Sequence, residues 1–311
     1  MKLFLSLLFI VGILFPQGSL FAVSEQRGIT VSPAFQEIIL DQKGESQDFS
    51  VSVTNDTDTV VTLKLSIFDF GSLDESGGVA FLGASDDLEK KYALASWMRL
   101  EKDTLFLPPG ETGTVRVTIE NRDSLSPGGH YGALTFKIEN DTTLGGTGSS
   151  IAVNQLFTAL VFVKKVGGEI YDLKLGGQEY ESSSTTFGDV LRLRFQNSGN
   201  VHLTPRGVVY VTDPFSRTVR KGIINQESAL ILPETFRVYQ VSLNMLAPVF
   251  IPGNYTVSLA YRYDGKEEFV TVTETHFFIP PLFISGAIFL LVGGTGTIFF
   301  LRRRKSHPLV Y

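Results

Sequence analysis

Apolar residues recur at every second position through much of the chain. Phe49, Val51 and Val53 alternate with Ser50, Ser52 and Thr54 before Asn55-Asp56. Val61, Leu63, Leu65 and Ile67 alternate with Thr62, Lys64 and Ser66. Val115, Val117 and Ile119 alternate with Arg116, Thr118 and Glu120. Successive side chains of a strand point to opposite faces, so this pattern predicts strands with one face on a core and one on water. Turn residues at Asn55 to Asp58, Pro108-Pro109-Gly110 and Pro127-Gly128-Gly129 punctuate them. The second half repeats the pattern. Val190, Leu191, Leu193 and Phe195 lead to Asn197-Ser198-Gly199-Asn200. Val208 to Thr212, then Phe236, Val238, Val241 and Leu243, then Tyr255 to Tyr261 predict further strands. Asp264-Gly265 is a two-residue hairpin signal leading into Phe269, Thr271 and Thr273. Short strands at this spacing predict antiparallel sandwiches.

Ile151 to Val163 differs in being apolar at both parities, as expected of a strand covered on both faces or lying between layers. A flexible segment, Gly145 to Ser150, precedes it, and Gly167-Gly168 breaks the pattern after it. The expected architecture is all-β, with two tandem Ig-like β-sandwich domains over residues 23–166 and 167–274. One short helix is expected over Ser85 to Trp97, where Asp86, Asp87 and Glu89 follow a Ser cap. Leu105-Phe-Leu-Pro-Pro-Gly-Glu-Thr112 and Leu230-Ile-Leu-Pro-Glu-Thr235 each place a Pro turn before a strand. Two related units would give this, and so would two independent corners.

Both ends of the chain leave the period-two pattern. Met1-Lys2, an uncharged apolar run from Leu3 to Phe15 and the small residue Ala22 predict a signal peptide over 1–22. Residues 277–301 carry no charge, and the 20 from Leu282 to Leu301 match the hydrocarbon thickness as a helix. Arg302-Arg303-Arg304-Lys305 follows at once, in the basic tail 302–311, which predicts a cytoplasmic C-terminus and a type I protein at the plasma membrane.

Composition sharpens this picture. The chain has 311 residues, 43% hydrophobic and 19% charged, and its mean hydropathy of +0.14 reflects the two apolar ends. All 32 acidic residues but only 22 of the 27 basic ones lie between 23 and 274, so the body carries about −10. That balance excludes nucleic acid as a bulk-charge partner. With no cysteine, thiol catalysis, Cys-based zinc sites, Fe–S clusters and disulfides are excluded. An exported two-domain body without cysteine is bacterial rather than animal in character.

The order Ile29-Thr-Val-Ser-Pro33, Phe49-Ser-Val-Ser-Val-Thr-Asn55, Leu107-Pro-Pro-Gly-Glu-Thr112 and Pro127-Gly-Gly-His-Tyr-Gly-Ala133 resembles the first domain of bacterial WxL-interacting surface proteins. Phe195-Gln-Asn-Ser-Gly-Asn-Val-His-Leu203 resembles their second domain, and the last helix with its basic tail fits their organisation. Their Asn-Gly-rich hairpin is replaced here by Gly71-Ser-Leu-Asp-Glu-Ser-Gly-Gly78. The resemblance implies a membrane-anchored surface protein whose partners are peptidoglycan, through the first domain, or another envelope or surface protein. Host binding is not carried over. A remoter resemblance is to periplasmic pilus chaperones, also two Ig-like domains, which hold pilin subunits by strand addition. Ile151 to Val163 falls where their first domain ends.

Candidate chemistry is sparse. The four histidines, at 130, 202, 276 and 307, share no metal-ligand spacing, and no nucleophile elbow, phosphate loop or dinucleotide fingerprint is present. Asp69, Asp74, Glu75, Asp86 and Asp87 form an acidic run without calcium-loop spacing. Lys164-Lys165 reads as a solvated strand end. The candidate ligand-binding residues are Trp97, the sole tryptophan, and His130-Tyr131 after the Pro-Gly-Gly turn. No catalytic residue, metal or cofactor is expected. The expected role is a non-enzymatic binding, adhesion or scaffold module for cell wall or surface proteins. The alternative is an assembly factor that holds another β-protein by strand addition.

Overall fold

The structure, a computed structural model, describes residues 28–41, 43–82, 90–139, 156–181 and 189–305. The predicted signal peptide, the Gly145 to Ser150 segment and residues 151–155 lie outside them. The described residues form two β-sandwiches and one C-terminal helix.

The first sandwich holds β1 (Ile29–Ser32), β2 (Phe35–Leu40), β3 (Gln47–Asn55), β4 (Val61–Ser72), β5 (Val79–Leu82), β6 (Met98–Leu100), β7 (Thr104–Leu107), β8 (Thr112–Ile119), β9 (Gly128–Ile138) and β10 (Leu156–Lys165). One sheet runs β1-β3-β8-β6 and the other β2-β10-β9-β4-β5, with β7 also on β4. β1 and β2 follow one another yet belong to opposite sheets. β1 pairs antiparallel with β3, and β2 pairs parallel with β10. The alternating residues do what the pattern predicts. Val51, Val53, Val61, Leu63, Leu65, Val115, Val117 and Ile119 are buried in one core with Leu134, Phe136, Val161 and Val163.

The second sandwich holds β11 (Leu173–Glu181), β12 (Val190–Asn197), β13 (Arg206–Thr212), β14 (Thr218–Ile224), β15 (Phe236–Ser242), β16 (Asn244–Met245), β17 (Gly253–Tyr263) and β18 (Lys266–Phe278). Its sheets run β11-β12-β15 and β16-β14-β13-β17-β18. Leu191, Leu193, Phe195, Val209, Val211, Val257 and Leu259 fill its core. Asp264-Gly265 turns β17 into β18, with Gly265 in the left-handed region that a side chain would strain (φ 79°). On β18 the parity that packs inward is Val270 and Val272, while Phe269 lies outside.

The two sandwiches share a buried fastening. Asn55, ending β3, donates from Nδ2 to the Leu107 carbonyl (2.9 Å) in the Leu105–Thr112 motif. Asn197, ending β12, donates likewise to the Ile231 carbonyl (3.0 Å) in the Leu230–Thr235 motif. Each Oδ1 accepts the amide two residues on, from Thr57 (3.0 Å) and Gly199 (2.9 Å). An Asx turn and a cross-connection are thus made by one buried amide in both domains.

Two expectations are corrected. The described part of Ser85 to Trp97 is two 3-10 turns, Lys90–Tyr92 and Ala95–Trp97, rather than one α-helix. The Leu94 and Ala95 amides are taken by the Asp69 carboxylate (2.7 and 2.6 Å), and Ala93 bridges to Tyr131, so the helical ladder is broken between them. Lys165 is buried rather than solvated, and its ammonium donates to the Arg122 carbonyl (2.7 Å).

α1 (Pro281–Lys305) follows β18 after two residues. Its segment Pro281–Arg302 is long and apolar enough to cross a membrane, spanning about 33 Å at 1.5 Å per residue. Phe277 and Phe278, expected within the span, belong to β18, and a proline opens the helix where its missing N–H has no partner to lose.

Candidate functional site

The outer face of the β2-β10-β9-β4-β5 sheet turns toward the second domain. Phe70, Tyr131, Ala133 and Phe162 form a separate buried cluster there, joined by Tyr92, Leu160, Leu230 and Leu232. Phe162 is its hub. Its ring lies 4.6 Å from Phe35, 5.2 Å from Phe70, 5.5 Å from Tyr131 and 5.4 Å from the His202 ring of the second domain. This explains the double-parity pattern of β10. Ala159, Val161 and Val163 enter the first core, while Leu160 and Phe162 face the neighbouring domain.

A polar line crosses the same contact. The Tyr131 hydroxyl meets His202 Nδ1 at 3.3 Å, and His202 Nε2 meets Glu37 Oε1 at 3.2 Å. Burial pushes the Tyr131 hydroxyl well above its ordinary value, so it stays protonated. The hydrogen bond from His202 holds Glu37 below the ordinary carboxylate value. The loop Gly71–Gly78, flagged as acidic in the sequence, is a clamp. Glu75 takes Arg194 Nε (2.7 Å) and Nη2 (2.5 Å) on its two oxygens, and its carbonyl accepts the Val238 amide on β15 (2.8 Å). Glu234 receives Lys91 (2.6 Å) and Tyr92 (2.9 Å) on one oxygen. Asn200 completes the junction through its carbonyl and the Gly129 amide (2.7 Å).

Between these contacts lies a cleft of about 480 Å³. Phe35, Phe70, Leu160 and Phe162 form one wall, and Leu230, Leu232 and Phe236 the other. Glu37, Arg206, Arg237, Thr204 and Thr235 supply its polar groups. Arg237 is fixed by the Leu230 carbonyl (2.7 Å) and crosses a space left open at Gly77, where a Cβ would collide with the guanidinium. Apolar walls with a few aimed polar groups are the make-up of a ligand-binding cleft.

The edge beside this cleft is half covered. β2 pairs with Leu160 to Lys165 of β10, and β9 pairs with Leu156 to Lys165 on the other side. Among the described residues no strand pairs with Leu156–Ala159 on the side opposite β9. The Leu160 amide donates to the Ala34 carbonyl (2.9 Å) on the β2 side. Backbone direction alternates along a strand, so the Thr158 amide points to that side as well.

The three candidates from the sequence are not brought together. Tyr131 borders the interdomain contact. His130, next to it on β9, faces the other way and is buried, with Nε2 2.8 Å from the Ser126 carbonyl and Nδ1 3.2 Å from the Ala93 carbonyl. Burial pushes its pKa down, and a neutral ring carries one N–H for the two carbonyls. Trp97 packs half-buried on the first core, with the Arg122 guanidinium 5.7 Å from its ring centre. The residues that build the cleft, Phe35, Glu37, Phe162, Arg206 and Arg237, carry no motif. The one sequence signal was the double-parity run at β10.

No family model matches the chain, so none supports the WxL-interacting resemblance, and no curated protein is a match. Solved structures similar to it include a chaperone–tip adhesin complex of CFA/I fimbriae biogenesis, at 11% identity over 81% of this chain and 99% of that one, TM-score 0.44. The class 5 fimbriae chaperone CfaA is similar at 13% identity over 79% and 99%, TM-score 0.41. The CsuC-CsuE chaperone–tip adhesion subunit pre-assembly complex of Acinetobacter baumannii is similar at 8% identity over 79% and 97%, TM-score 0.37. At these scores the chain's activity is left to its own geometry.

Proposed function

We propose that this is a membrane-anchored protein of the bacterial envelope, its body outside the membrane, that binds a segment of another β-protein by strand addition. The segment pairs with the open edge of β10 and sends alternate side chains into the interdomain cleft. The observation that carries this reading is the half-covered edge: Leu156–Ala159 has β9 on one side and no strand of the described residues on the other, and it leads directly into an apolar cleft. An exposed main-chain edge recognises extended protein, which favours a protein partner over peptidoglycan.

The test uses the full chain in detergent and fluorescent ten-residue peptides of alternating apolar and polar residues, with scrambled peptides of equal composition. Binding of the alternating set alone is expected. Thr158→Pro removes one outward donor from the edge and leaves the β9 side in place, so at least a tenfold loss is expected against Thr158→Ala. Equal binding by scrambled peptides, or by a folded Thr158→Pro chain, removes strand addition at this edge. Saturable retention on purified cell-wall sacculi in its place would restore the wall-binding reading.

A further inference from the structure

We propose that the C-terminal end of the second domain is itself a lipid-contacting surface, an apolar collar seated in the interfacial layer of the bilayer around the entry point of α1. The argument begins with a length. Phe278, the last residue of β18, is paired with Gly253, and α1 begins at Pro281. Only Ile279 and Pro280 lie between, and each residue spans at most about 3.6 Å. The polar layer on each side of the hydrocarbon is itself roughly 5–8 Å deep. The span Pro281–Arg302 has no buried share and finds its cover in lipid. The end of the sheet therefore has no room to stand clear of the surface.

The register places two further segments at that end. Thr212, ending β13, lies opposite Thr256 near the start of β17, which sets the turn Asp213–Arg217 beside it. A Cβ on Gly253 would meet Pro214 in that turn. The Leu246 amide donates to the Val219 carbonyl (2.8 Å), which brings residues 246–252 alongside. These segments expose large apolar side chains: Phe215 is 73% exposed, Leu246 58%, Phe250 45% and Phe277 69%.

The turn is built to hold Phe215 outward. Asp213 is buried, and its Oδ1 accepts the Phe215 amide (3.0 Å) and the Arg217 amide (2.9 Å). Its Oδ2 accepts Arg217 Nε (3.0 Å). A turn that buries its carboxylate and displays its aromatic ring is opposite to what water selects, and such patches mark contact surfaces. The other end of the same sheet is Asp264-Gly-Lys-Glu-Glu268. The two ends of the 13-residue β18 are about 40 Å apart. Beside the helix the polar groups Arg217, Glu274 and His276 sit in pairs, with Asp213 and with one another, among large exposed apolar side chains, whereas the far end is a charged hairpin, a gradient that fits a bilayer at one end only. The occupant is thereby fixed by continuity with α1. This inference rests on α1 as a membrane span and is independent of strand addition.

The cysteine-free chain permits a clean test. Full-length Phe215→Cys, Leu246→Cys and Phe250→Cys variants carry single nitroxides in phosphatidylcholine vesicles, and collisions with oxygen and with a water-soluble nickel complex are compared. Glu267→Cys marks the far end of the sheet, and Leu291→Cys marks the span. The three collar labels are expected to be at least fivefold less accessible to nickel than the label at 267, with oxygen favoured. Should 291 be lipid-embedded while 215, 246 and 250 collide with nickel as 267 does, the proposal is overturned and a protein partner is left to cover the patch. Exposure of 291 as well would overturn the span on which it stands. Pro214→Cys, at an exposed position, replaces Phe215→Cys if the latter loses the wild-type circular dichroism spectrum.

Discussion

Truncating Phe162 separates the two kinds of core in this molecule. A buried Phe→Ala change costs about 3–5 kcal/mol when the void stays closed and dry. Phe136, fully buried inside the first sandwich, meets that condition. Phe162 is nearly as buried, yet it lines the 480 Å³ cleft, so its void joins a space that water enters. The loss of its four ring contacts is then partly offset by hydration, and the cost falls to about 2–3 kcal/mol. Because Phe162 lies at the junction, that cost is spread over both domains. Native-state hydrogen exchange on the full chain reads this directly. Phe162→Ala is expected to raise the opening equilibrium of residues 35–40, 160–165 and 228–237 by about 30- to 150-fold. Phe136→Ala is expected to accelerate the first sandwich and leave 228–237 unchanged. Unaltered exchange at 228–237 in Phe162→Ala would refute the reasoning, since the junction would not then depend on that ring.

Three further outcomes follow from particular contacts. Asn55→Ala and Asn197→Ala each strand buried carbonyls, so each is expected to cost about 2–3 kcal/mol, read as a fall of about 5–10 °C in the thermal midpoint. Gly129→Ala places a methyl group against the Tyr131 hydroxyl, and displacing that ring is expected to cost about 1–3 kcal/mol, seen as faster exchange at the junction with the second core unaffected. Glu37 titrates below its ordinary value of 4.5, chiefly through its hydrogen bond with His202. Its contribution to the junction is present above pH 4.5 and is lost as pH falls through the lowered folded value. Glu37 is 43% exposed, so the contribution is under about 1 kcal/mol, and Glu37→Gln should flatten the acid limb of junction protection without moving the neutral plateau.

The strands facing a single core were legible because burial on one face enforces period two. β3, β4 and β8 show it without interruption. The buried Asn55 and Asn197 were visible only as turn residues, since nothing local says that an amide will reach a carbonyl 52 or 34 positions away. The helix over 85–97 was misread in its described part because Asp69, far back in the chain, takes the amides a helix would use. β10 announced its double cover, but not by what. The cover is another domain, and no periodicity encodes which loop of that domain will arrive. The same holds for the cleft, whose walls come from residues about 200 positions apart. The Gly71–Gly78 loop stood out in the sequence only for its acidic residues and clamps the second domain, because Arg194 meets Glu75 only in three dimensions.

The junction and the collar bear on one another through geometry. The loop carrying Asn200 and His202 lies at the hairpin end of the second domain, where Asp264 accepts the Thr204 amide (2.7 Å). The first domain is docked on that end by Glu75, Glu234, Glu37 and Asn200. The opposite end meets α1 with two residues to spare. A flexible tether would let the cleft sweep any height above the surface, but this chain has short connections at both ends of the second domain. β10 reaches Lys165 and β11 starts at Leu173, with Asn200 bonded to the Ile170 amide (2.7 Å) and the Gly168 carbonyl (2.9 Å) between them. The hairpin end on which the first domain docks is thereby held roughly one sheet length, about 40 Å, from the start of α1. On the proposed reading, with α1 in a bilayer, a partner strand would be met at a set height and orientation, which would lower the ordering cost of its capture.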